Sequence, residues 1–484
     1  MTLNLRSAIV YSLVALFVLI NGILFLKGVY VFLLAPVALL LIYTALFHFE
    51  SMFLFVVFCA PLSLNLEDLV GNGGLYLPTE PLLFGMTLII FLKSILKGVV
   101  PFKVFLHPIT LILGLQVFWI LITSFTSEIP LVSFKFLLSR LWFLIPMILF
   151  GAMFFEKEKN YRNFISAFLA SLAVVVGYTL INHASNGFSE ESGHWVMSPF
   201  FKDHTSYGAV LALLFPLTIA LYIINKGNIL PRFLALCLIG LIGGGIIFSY
   251  TRAAWVTVFG AFLLYLIIVF RIKFYYLLVP ALIAAVFVYM KIDKITMEME
   301  RNKVEHTTED LQERLQSATN ITTDASNLER LNRWNSAMEM YRRRSLFGWG
   351  PGTYAFVYAP FQADDDLTII STNFGDGGNA HSEYLGPLSE QGFPGMILMI
   401  VLVVAIFYYG FVTYSRMEPS HSKTLLLYSL LGLSTYFVHG ILNNYLDIDK
   451  AAIPVWGMTA FVIAMNLKYP GSSRQNRILS KMTP

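Results

Sequence analysis

Apolar runs of about 18 or more residues recur along most of the chain, and they constrain the fold more than any other feature. Of the 484 residues, 57% are hydrophobic and only 13% are charged, whereas soluble proteins carry about 25% charged residues. Because a backbone in lipid must satisfy its own hydrogen bonds, runs of this length form helices. The sequence therefore predicts an all-α polytopic membrane protein.

Hydropathy predicts about fourteen spans, which corresponds to 12–14 transmembrane helices once the uncertain boundaries are considered. Eleven of these spans lie within residues 1–291, and the remaining ones lie within 384–467. The first run, Ala8 to Leu26, is too long for a signal-peptide core and is interpreted as the first span. The predicted spans lie at roughly residues 8–26, 29–48, 51–65, 81–99, 106–124, 132–155, 162–182, 204–224, 230–250, 253–270, 274–291, 384–414, 423–445 and 450–467.

Lys and Arg residues are concentrated in alternate short connections, and this asymmetry predicts the orientation of the spans. With the N-terminus in the cytoplasm, the opposite short loops hold only Lys27, Lys202, Arg252 and Lys450. The cytoplasmic connections hold many more basic residues, and the tail at 468–484 adds others. We therefore predict that both termini are cytoplasmic.

Residues 292–383 form one large polar segment on the outer side. This segment contains 9 Lys and Arg against 15 Asp and Glu, a net of −6, which argues against binding of nucleic acid. Residues 295–317 are predicted to be a charged helix and 319–327 a polar linker. A Gly- and Pro-rich turn follows at 346–354. Between linker and turn, 327–344 has the spacing of an amphipathic helix, with apolar positions at Leu331, Trp334, Met338 and Tyr341.

The two cysteines predict neither a disulfide nor a metal site. Cys59 and Cys237 both lie inside apolar runs and lack metal-ligand spacing. We therefore expect both to pack as neutral core residues, and we expect no metal or other cofactor.

Two groups of arginines are candidates for binding an anion. Arg252 lies at the outer junction of two spans, beside Tyr250 and Thr251, where it either snorkels to the interface or clamps phosphate oxygens. Arg330 lies four residues before Trp334, so both side chains can point towards the membrane, and a solvated helix face is the alternative. The solvated position is favoured more strongly for Arg333 and for the basic run Arg342–Arg344.

Two further candidates lie at or inside predicted spans. Arg140 is some eight residues into a span, where an unpaired charge is costly, so it should face a polar cavity or a partner. Structural pairing and substrate binding are both open for it. Asp203 and His204 begin another span, and a simple helix cap is the favoured interpretation there.

The stretch GNAHSEYLGPLSEQGFPG at 378–395 contains the sharpest candidate, His381. It lies where the polar segment re-enters lipid, and Glu383 and Glu390 follow it. A neutral imidazole there can accept a proton from a hydroxyl, although a lone histidine at a helix start also serves as a cap. The pattern alone leaves both interpretations open.

Together, LFGWGPGTY at 346–354 and this stretch resemble the signature of the O-antigen ligase/polymerase superfamily. That signature reads His-[Asn/Ser]-x-x-Leu-x-x-x-x-Glu-x-Gly-x-x-Gly. Here its positions are His381, Ser382, Leu385, Glu390, Gly392 and Gly395. The Arg330-to-Trp334 helix and the Thr251–Arg252 junction are also similar, and the resemblance covers about residues 200–440.

The resemblance implies a GT-C-like, inverting and metal-independent glycosyltransferase of the bacterial inner membrane, with the large loop in the periplasm. Such enzymes take a glycan from undecaprenyl diphosphate. The acceptor is the lipid A–core in ligases, the next lipid-linked repeat unit in polymerases, or a protein Ser/Thr hydroxyl. Ligation to the lipid A–core is our leading expectation. The partners expected from the resemblance are this donor, a glycan acceptor and membrane lipids.

The resemblance also assigns roles to residues. His381 would activate or orient the acceptor hydroxyl, and Arg252 and Arg330 would stabilise the diphosphate leaving group. Further contacts to diphosphate or acceptor are expected from Arg140, His204, Tyr250 and Glu383. Two non-enzymatic alternatives remain: a transporter of lipid-linked glycan, and a scaffold whose loop docks envelope proteins.

Overall fold

The computed structural model describes residues 5–28, 31–66, 74–97, 100–272, 329–363, 367, 371 and 378–470. The chain divides into two compact units, Met1–Val56 and Val57–Pro484. The predicted span 274–291, the charged helix 295–317 and the linker 319–327 lie outside the described residues, as does most of the basic tail.

The first unit contains helices α1, Leu5–Leu26, and α2, Ala35–Phe47, and the beginning of α3, Phe49–Cys59. A 3-10 turn, Val31–Leu34, precedes α2, whose second residue is a proline. Proline is tolerated in a first helical turn because the N–H groups there have no intrahelical partner. Since α2 has only 13 residues, it is shorter than the predicted span 29–48.

In the second unit most helices match predicted spans. Their bounds are α4 Thr79–Lys97, α5 Pro108–Phe125, α6 Pro130–Leu144, α7 Glu158–Ser185, α8 His204–Ile224, α9 Ile229–Phe248, α10 Arg252–Val269, α11 329–343, α12 Leu385–Arg416, α13 His421–His439 and α14 Asp449–Lys468. A π-helical segment, Ile145–Phe150, continues α6 into the short helix Gly151–Phe154. A small hairpin pairs Leu64–Asn65 with Tyr76–Leu77.

Among the described residues, nine helices are long and apolar enough to cross a membrane, and three shorter apolar helices accompany them. This confirms the predicted all-α polytopic fold. The expected total of 12–14 spans stays a prediction.

Two helices form the centre of the second unit. Nearly all of α14 is buried, and most of α8 is buried as well. Close approach between α8 and α13 requires a glycine, because a Cβ at Gly432 would lie 2.3 Å from the carbonyl oxygen of Leu213. Small residues therefore bring these backbones together, as is usual between membrane helices.

Two predictions about these elements need correction. Helix α13 ends at His439, so residues 440–445 of the predicted span 423–445 are not helical. Cys237 is exposed on α9 instead of packing in the core, although Cys59 is buried as predicted. Helix α12 is kinked at Gly392, whose φ of 70° and ψ of −171° are not helical.

The loop helix α11 exists as predicted, but its most deeply buried face differs from the apolar positions. Asn332, Arg333, Ser336, Ala337 and Met340 are buried. By contrast, Met338 is exposed, and Leu331, Trp334 and Tyr341 are only partly buried. The reason is a buried ion pair between Arg333 and Glu329, which draws the polar face of the helix inward.

Candidate functional site

Two glycine-containing turns pack against each other and fix the beginning of α12. Gly348 and Gly392 both have positive φ, 68° and 70°. A Cβ at Gly348 would lie 2.3 Å from the Glu390 carbonyl carbon, and a Cβ at Gly392 would lie 2.2 Å from the Leu346 carbonyl oxygen. Only glycine tolerates both the backbone conformation and this approach. The two stretches that resemble the family signature are thus one packed unit.

The Glu390 carboxylate strengthens this unit from inside. Its Oε1 accepts a hydrogen bond from the Tyr354 N–H at 2.9 Å, and the Gly352 N–H is a second donor. The Gly350 N–H donates to the Glu390 carbonyl oxygen at 2.8 Å. Glu390 therefore satisfies the backbone of the Gly- and Pro-rich turn, which is a structural use of a buried carboxylate.

Glu383 holds the segment that follows α13 in the same way. Its Oε1 accepts hydrogen bonds from the Tyr436 hydroxyl at 2.6 Å, from the Tyr445 N–H at 2.8 Å and from the Leu446 N–H at 2.9 Å. The Glu383 N–H donates to the Gly440 carbonyl at 2.8 Å. Burial raises the pKa of Glu383. This carboxyl explains why α13 ends early, because it captures backbone groups that a longer helix would use.

His381 lies between these two anchored segments. It has a φ of 46°, and its N–H donates to Oδ1 of Asn379 at 3.0 Å. Its carbonyl oxygen accepts from the Trp334 indole at 3.3 Å, and its imidazole is hydrogen-bonded to Asn443. The loop helix thus holds the backbone of residue 381, and the segment after α13 contacts its ring.

The surroundings of His381 keep its imidazole neutral. Burial lowers the pKa of His381 to about 4, and the positive charges of Arg330 and Arg333 act in the same direction. Because an ordinary histidine titrates near pH 6.5, this ring retains its lone pair throughout the physiological range. A neutral imidazole has the lone pair that accepts a proton, and an anion bound nearby would offset the effect of these cations on its pKa.

Arg330 is the central charge of the site. Its charge acts on His381 and also on His204 and His439. Burial lowers the pKa of Arg330, and the nearby Tyr445 and Asp203 oppose that shift. Since guanidinium stays protonated in proteins, Arg330 is a permanent cation among neutral imidazoles.

Arg333 is buried, so its favoured position on a solvated face is wrong. Its Nε donates to Glu329 Oε1 at 2.6 Å, and its guanidinium lies 4.0 Å from the centre of the Tyr358 ring. The ion pair and the aromatic ring compensate the cost of burial. Arg342 and Arg343 are exposed, as predicted, whereas Arg344 is half-buried and pairs with Glu128.

His204 begins α8 and lies near Arg330. Asp203 caps α8, accepting from the Ser206 N–H at 2.7 Å, which confirms the predicted cap. The Nδ1 atoms of His204 and His194 are 3.0 Å apart and share a hydrogen bond. Thr205 bonds to the Tyr445 hydroxyl and thereby ties α8 to the segment held by Glu383.

Arg252 and Tyr250 lie beside this cluster but differ in their contacts. The Tyr250 hydroxyl donates to the Phe188 carbonyl at 2.8 Å, so a local structural bond already uses it. Thr251 donates to the His204 carbonyl at 2.8 Å, which places the start of α10 next to α8. Arg252 itself is exposed, and within the described part of the chain no hydrogen bond or ion pair engages its guanidinium. The roles of Arg252 and Tyr250 stay predictions.

Arg140 faces a polar cavity, as expected for a charge inside a span. It pairs with Asp447 at 3.1 Å and donates to the Leu446 carbonyl at 3.4 Å. The cavity has a volume of about 250 Å³, and Glu383 and Glu390 also line it. A second cavity of about 220 Å³, lined by Asp203 and other residues, shares part of the same wall.

Sequence reasoning missed three residues of the cluster: His439, Asn443 and Tyr445. Asn443 Nδ2 and His439 Nε2 are 3.1 Å apart, so Asn443 links His439 to His381. The polar run HGILNNYLD at 439–447 was the available signal, because so many polar groups do not fit the end of a lipid-facing span. Within the described ranges, no three His, Cys, Asp or Glu side chains lie close enough together to hold a metal ion.

The fold and the site define a multi-pass helical membrane protein whose polar centre gathers at one end of its helices. A sequence-family model described as O-antigen ligase matches residues 235–400. The matched region includes Arg252, Arg330 and His381, and the match agrees with the resemblance stated from the motifs. The family indicates a glycosyltransferase-like enzyme. A search of curated proteins gave no significant match.

Proposed function

We propose that the protein transfers a glycan from undecaprenyl diphosphate to an acceptor hydroxyl, with the lipid A–core as the acceptor. The observation that carries this proposal is the neutral imidazole of His381, hydrogen-bonded to Asn443 and lying within the field of Arg330. The reaction needs both groups: a proton acceptor for the hydroxyl and a cation for the leaving diphosphate.

In the proposed reaction, the acceptor oxygen attacks the anomeric carbon of the donor from the face opposite the diphosphate. The new C–O bond forms as the bond from carbon to the diphosphate oxygen breaks, which inverts the configuration. The acceptor proton passes to His381, and undecaprenyl diphosphate leaves as the anion. Arg330 stabilises the charge that develops on the leaving oxygens. The protein completes its cycle when the His381 proton returns to solvent or to the diphosphate.

The remaining predicted residues take supporting roles in this proposal. Arg252, exposed at the start of α10, would bind the distal phosphate or the lipid headgroup region. His204 would donate or accept hydrogen bonds beside Arg330. Glu383 would act by positioning, because its Oε1 already accepts from Tyr445 and Leu446. No paired carboxylates are required as acid and base, since the donor is already activated.

The proposed location of the reaction is the periplasmic face of the bacterial inner membrane, with both termini in the cytoplasm. The charge asymmetry of the short loops supports this orientation. The histidines and Arg330 lie where α8 and α12 begin and where α13 ends. The N-terminal ends of α8 and α12 carry partial positive charge, which favours binding of an anion at this face.

The test is to reconstitute the purified protein with undecaprenyl-diphosphate glycan and to supply one acceptor at a time. The proposal predicts release of undecaprenyl diphosphate only when acceptor is present, with lipid A–core converted to its glycosylated form. Product on a second lipid-linked repeat unit would identify a polymerase, and product on Ser/Thr peptides a protein transferase. Movement of intact donor across the bilayer without release of undecaprenyl diphosphate would identify the transporter and contradict the proposal.

A further inference from the structure

The cavity of about 250 Å³ next to His381 has no part in the proton or phosphate chemistry proposed above. Its wall includes Asn379, Ala380 and Ser382, the residues on either side of His381. The opposite wall comes from α5, α6 and α14. A group bound in this cavity would therefore sit against the segment that carries the proposed proton acceptor.

Within the part of the chain that the structure describes, three buried polar atoms of residues in this wall have no hydrogen-bond partner. They are Nε1 of Trp456, Oδ1 of Asn444 and Oε1 of Gln391. Trp456 and Gln391 are 1% and 3% exposed, so neither can turn to bulk solvent. Buried polar groups are nearly always hydrogen-bonded, and an unsatisfied one costs about 1–3 kcal/mol. One donor and two acceptors on residues that line the same cavity indicate a site for a ligand that both donates and accepts.

The charges of the wall exclude an anionic ligand. Arg140 is the one basic residue among the lining residues, and it is already paired with Asp447. Glu383 and Glu390 also line the cavity, and both direct an oxygen to backbone N–H groups. Because the one guanidinium among these lining residues is already paired, a diphosphate would find no available cation in this wall. The cavity lining combines neutral polar side chains with aromatic rings.

We propose that this cavity is a subsite for one uncharged sugar ring. Sugar hydroxyls both donate and accept hydrogen bonds, and the C–H face of a ring packs on aromatic side chains such as Trp456, Tyr354 and Phe136, which line the space. The volume of about 250 Å³ lies just below the range of about 300–1,000 Å³ for small-molecule pockets, which suits a single ring. The inference rests on the proposed function, and the ring belongs either to the acceptor or to the donor glycan.

Gly386 provides a way to fill the cavity without disturbing the rest of the site. It is buried and lines the cavity, yet a Cβ built on it meets no atom within 4 Å. Its side chain would therefore extend into the open space, so Gly386→Met should fill the subsite while the helix stays intact. Gly114→Met is the matched control, because Gly114 is an exposed helical glycine on α5 whose Cβ also meets no atom within 4 Å.

The first arm of the test measures binding and does not depend on transfer. The protein is placed in nanodiscs free of glycoside detergent, and saturation-transfer NMR is recorded with D-glucose, D-galactose and N-acetyl-D-glucosamine. At least one sugar should give signals in wild type and in Gly114→Met, and these signals should vanish in Gly386→Met. Absence of signals in wild type, or equal signals in Gly386→Met, overturns the subsite.

The second arm measures transfer and identifies the source of the ring. Gly386→Met should raise KM about 10-fold or more for one glycan substrate and leave KM for the other within about 2-fold. The substrate whose KM rises is the one that supplies the ring, and unchanged KM for both overturns the inference. If wild type transfers nothing, the proposed function fails while the NMR result still decides the subsite.

A second variant keeps the test decisive if Gly386→Met misfolds. Trp456→Phe removes the unpartnered indole N–H but keeps an aromatic ring in the wall. Its thermal unfolding midpoint should fall only modestly, because a smaller aromatic ring replaces the buried indole and no hydrogen bond within the described protein is lost. Sugar binding or the affected KM should weaken by about 3- to 10-fold. Unchanged binding together with unchanged KM overturns the inference.

Discussion

His381 and Glu390 lie nine residues apart in the same motif, yet their surroundings are opposite. The His381 ring remains a neutral group beside the charge of Arg330, with Asn443 as its hydrogen-bond partner. The Glu390 carboxylate accepts from the N–H groups of Tyr354 and Gly352 and thereby ties two turns together. One end of the motif is thus available for chemistry, and the other end holds it in place.

This difference separates a reactive region from an anchoring region. The reactive region consists of His381, Arg330, His204 and His439, whose imidazoles all lie within the influence of one guanidinium. The anchoring region consists of the two glycine turns and the carboxylates of Glu383 and Glu390. Changes in the reactive region should alter rate with little effect on stability, whereas changes in the anchoring region should lower stability and alter rate only by displacing the reactive groups.

Arg330→Ala should produce the largest loss of rate among the arginine variants. Removal of one charged donor from a developing anion lowers kcat by about 100- to 1,000-fold. Turnover of reconstituted protein measures this, with Arg342→Ala as the control, because Arg342 is solvated and pairs only with Glu339 within the described structure. Equal losses in the two variants would remove Arg330 from the reactive region.

Gly392→Ala should cause the largest loss of stability in the anchoring region. Its φ of 70° and ψ of −171° suit glycine alone, and a Cβ would lie 2.2 Å from the Leu346 carbonyl oxygen. Backbone strain and overpacking each cost about 1–3 kcal/mol. The thermal unfolding midpoint should therefore fall clearly, whereas Gly114→Ala should leave it equal or higher. An unchanged midpoint for Gly392→Ala would show that the two turns do not hold the site.

Variants of Glu383 test whether this carboxyl acts by holding the segment after α13 in place. Glu383→Gln keeps an oxygen that can accept from Tyr445 and Leu446, whereas Glu383→Ala leaves these N–H groups buried without it. Each lost bond costs about 1–3 kcal/mol. We expect Glu383→Ala to lose at least about 10-fold more kcat than Glu383→Gln. Equal losses would instead assign a proton-transfer role to the carboxyl.

The pH dependence of kcat/KM is the smallest of the expected effects and the one most specific to His381. Protonation of His381 removes its lone pair, so the rate falls as the pH drops through its pKa. Because that pKa is lowered to about 4, kcat/KM should stay level between pH 7 and about pH 5 and decline only near pH 4. In Arg330→Ala the residual activity should decline at higher pH, since one of the cations that lower the pKa is gone. A limb near pH 6.5 in wild type would contradict the neutral imidazole.

The positions of the spans and the Gly- and Pro-rich turn could be predicted because they depend on local sequence. Apolar length determines a span, and Gly348 and Gly392 need their backbone conformations whatever surrounds them. His381 at a helix start was predictable for the same reason. The kink in α12 also follows from its own glycine and proline.

The other half of the site depends on contacts between distant residues. Asn443 and Tyr445 lie near His381 because α13 ends at His439. The helix ends there because Glu383, some sixty residues earlier in the chain, accepts hydrogen bonds from N–H groups of the segment that follows. The burial of Arg333 depends on Glu329 and on Tyr358, which comes from another turn. A helical pattern cannot distinguish such a buried ion pair from a solvated one.

The most direct test of the account is the turnover of His381→Ala beside wild type, normalised to folded protein. Loss of a positioned proton acceptor should lower kcat by about 100- to 10,000-fold. The thermal unfolding midpoint should stay close to that of wild type, because the backbone of residue 381 makes the bonds to Asn379 and Trp334. Transfer by His381→Ala at the wild-type rate would contradict the account.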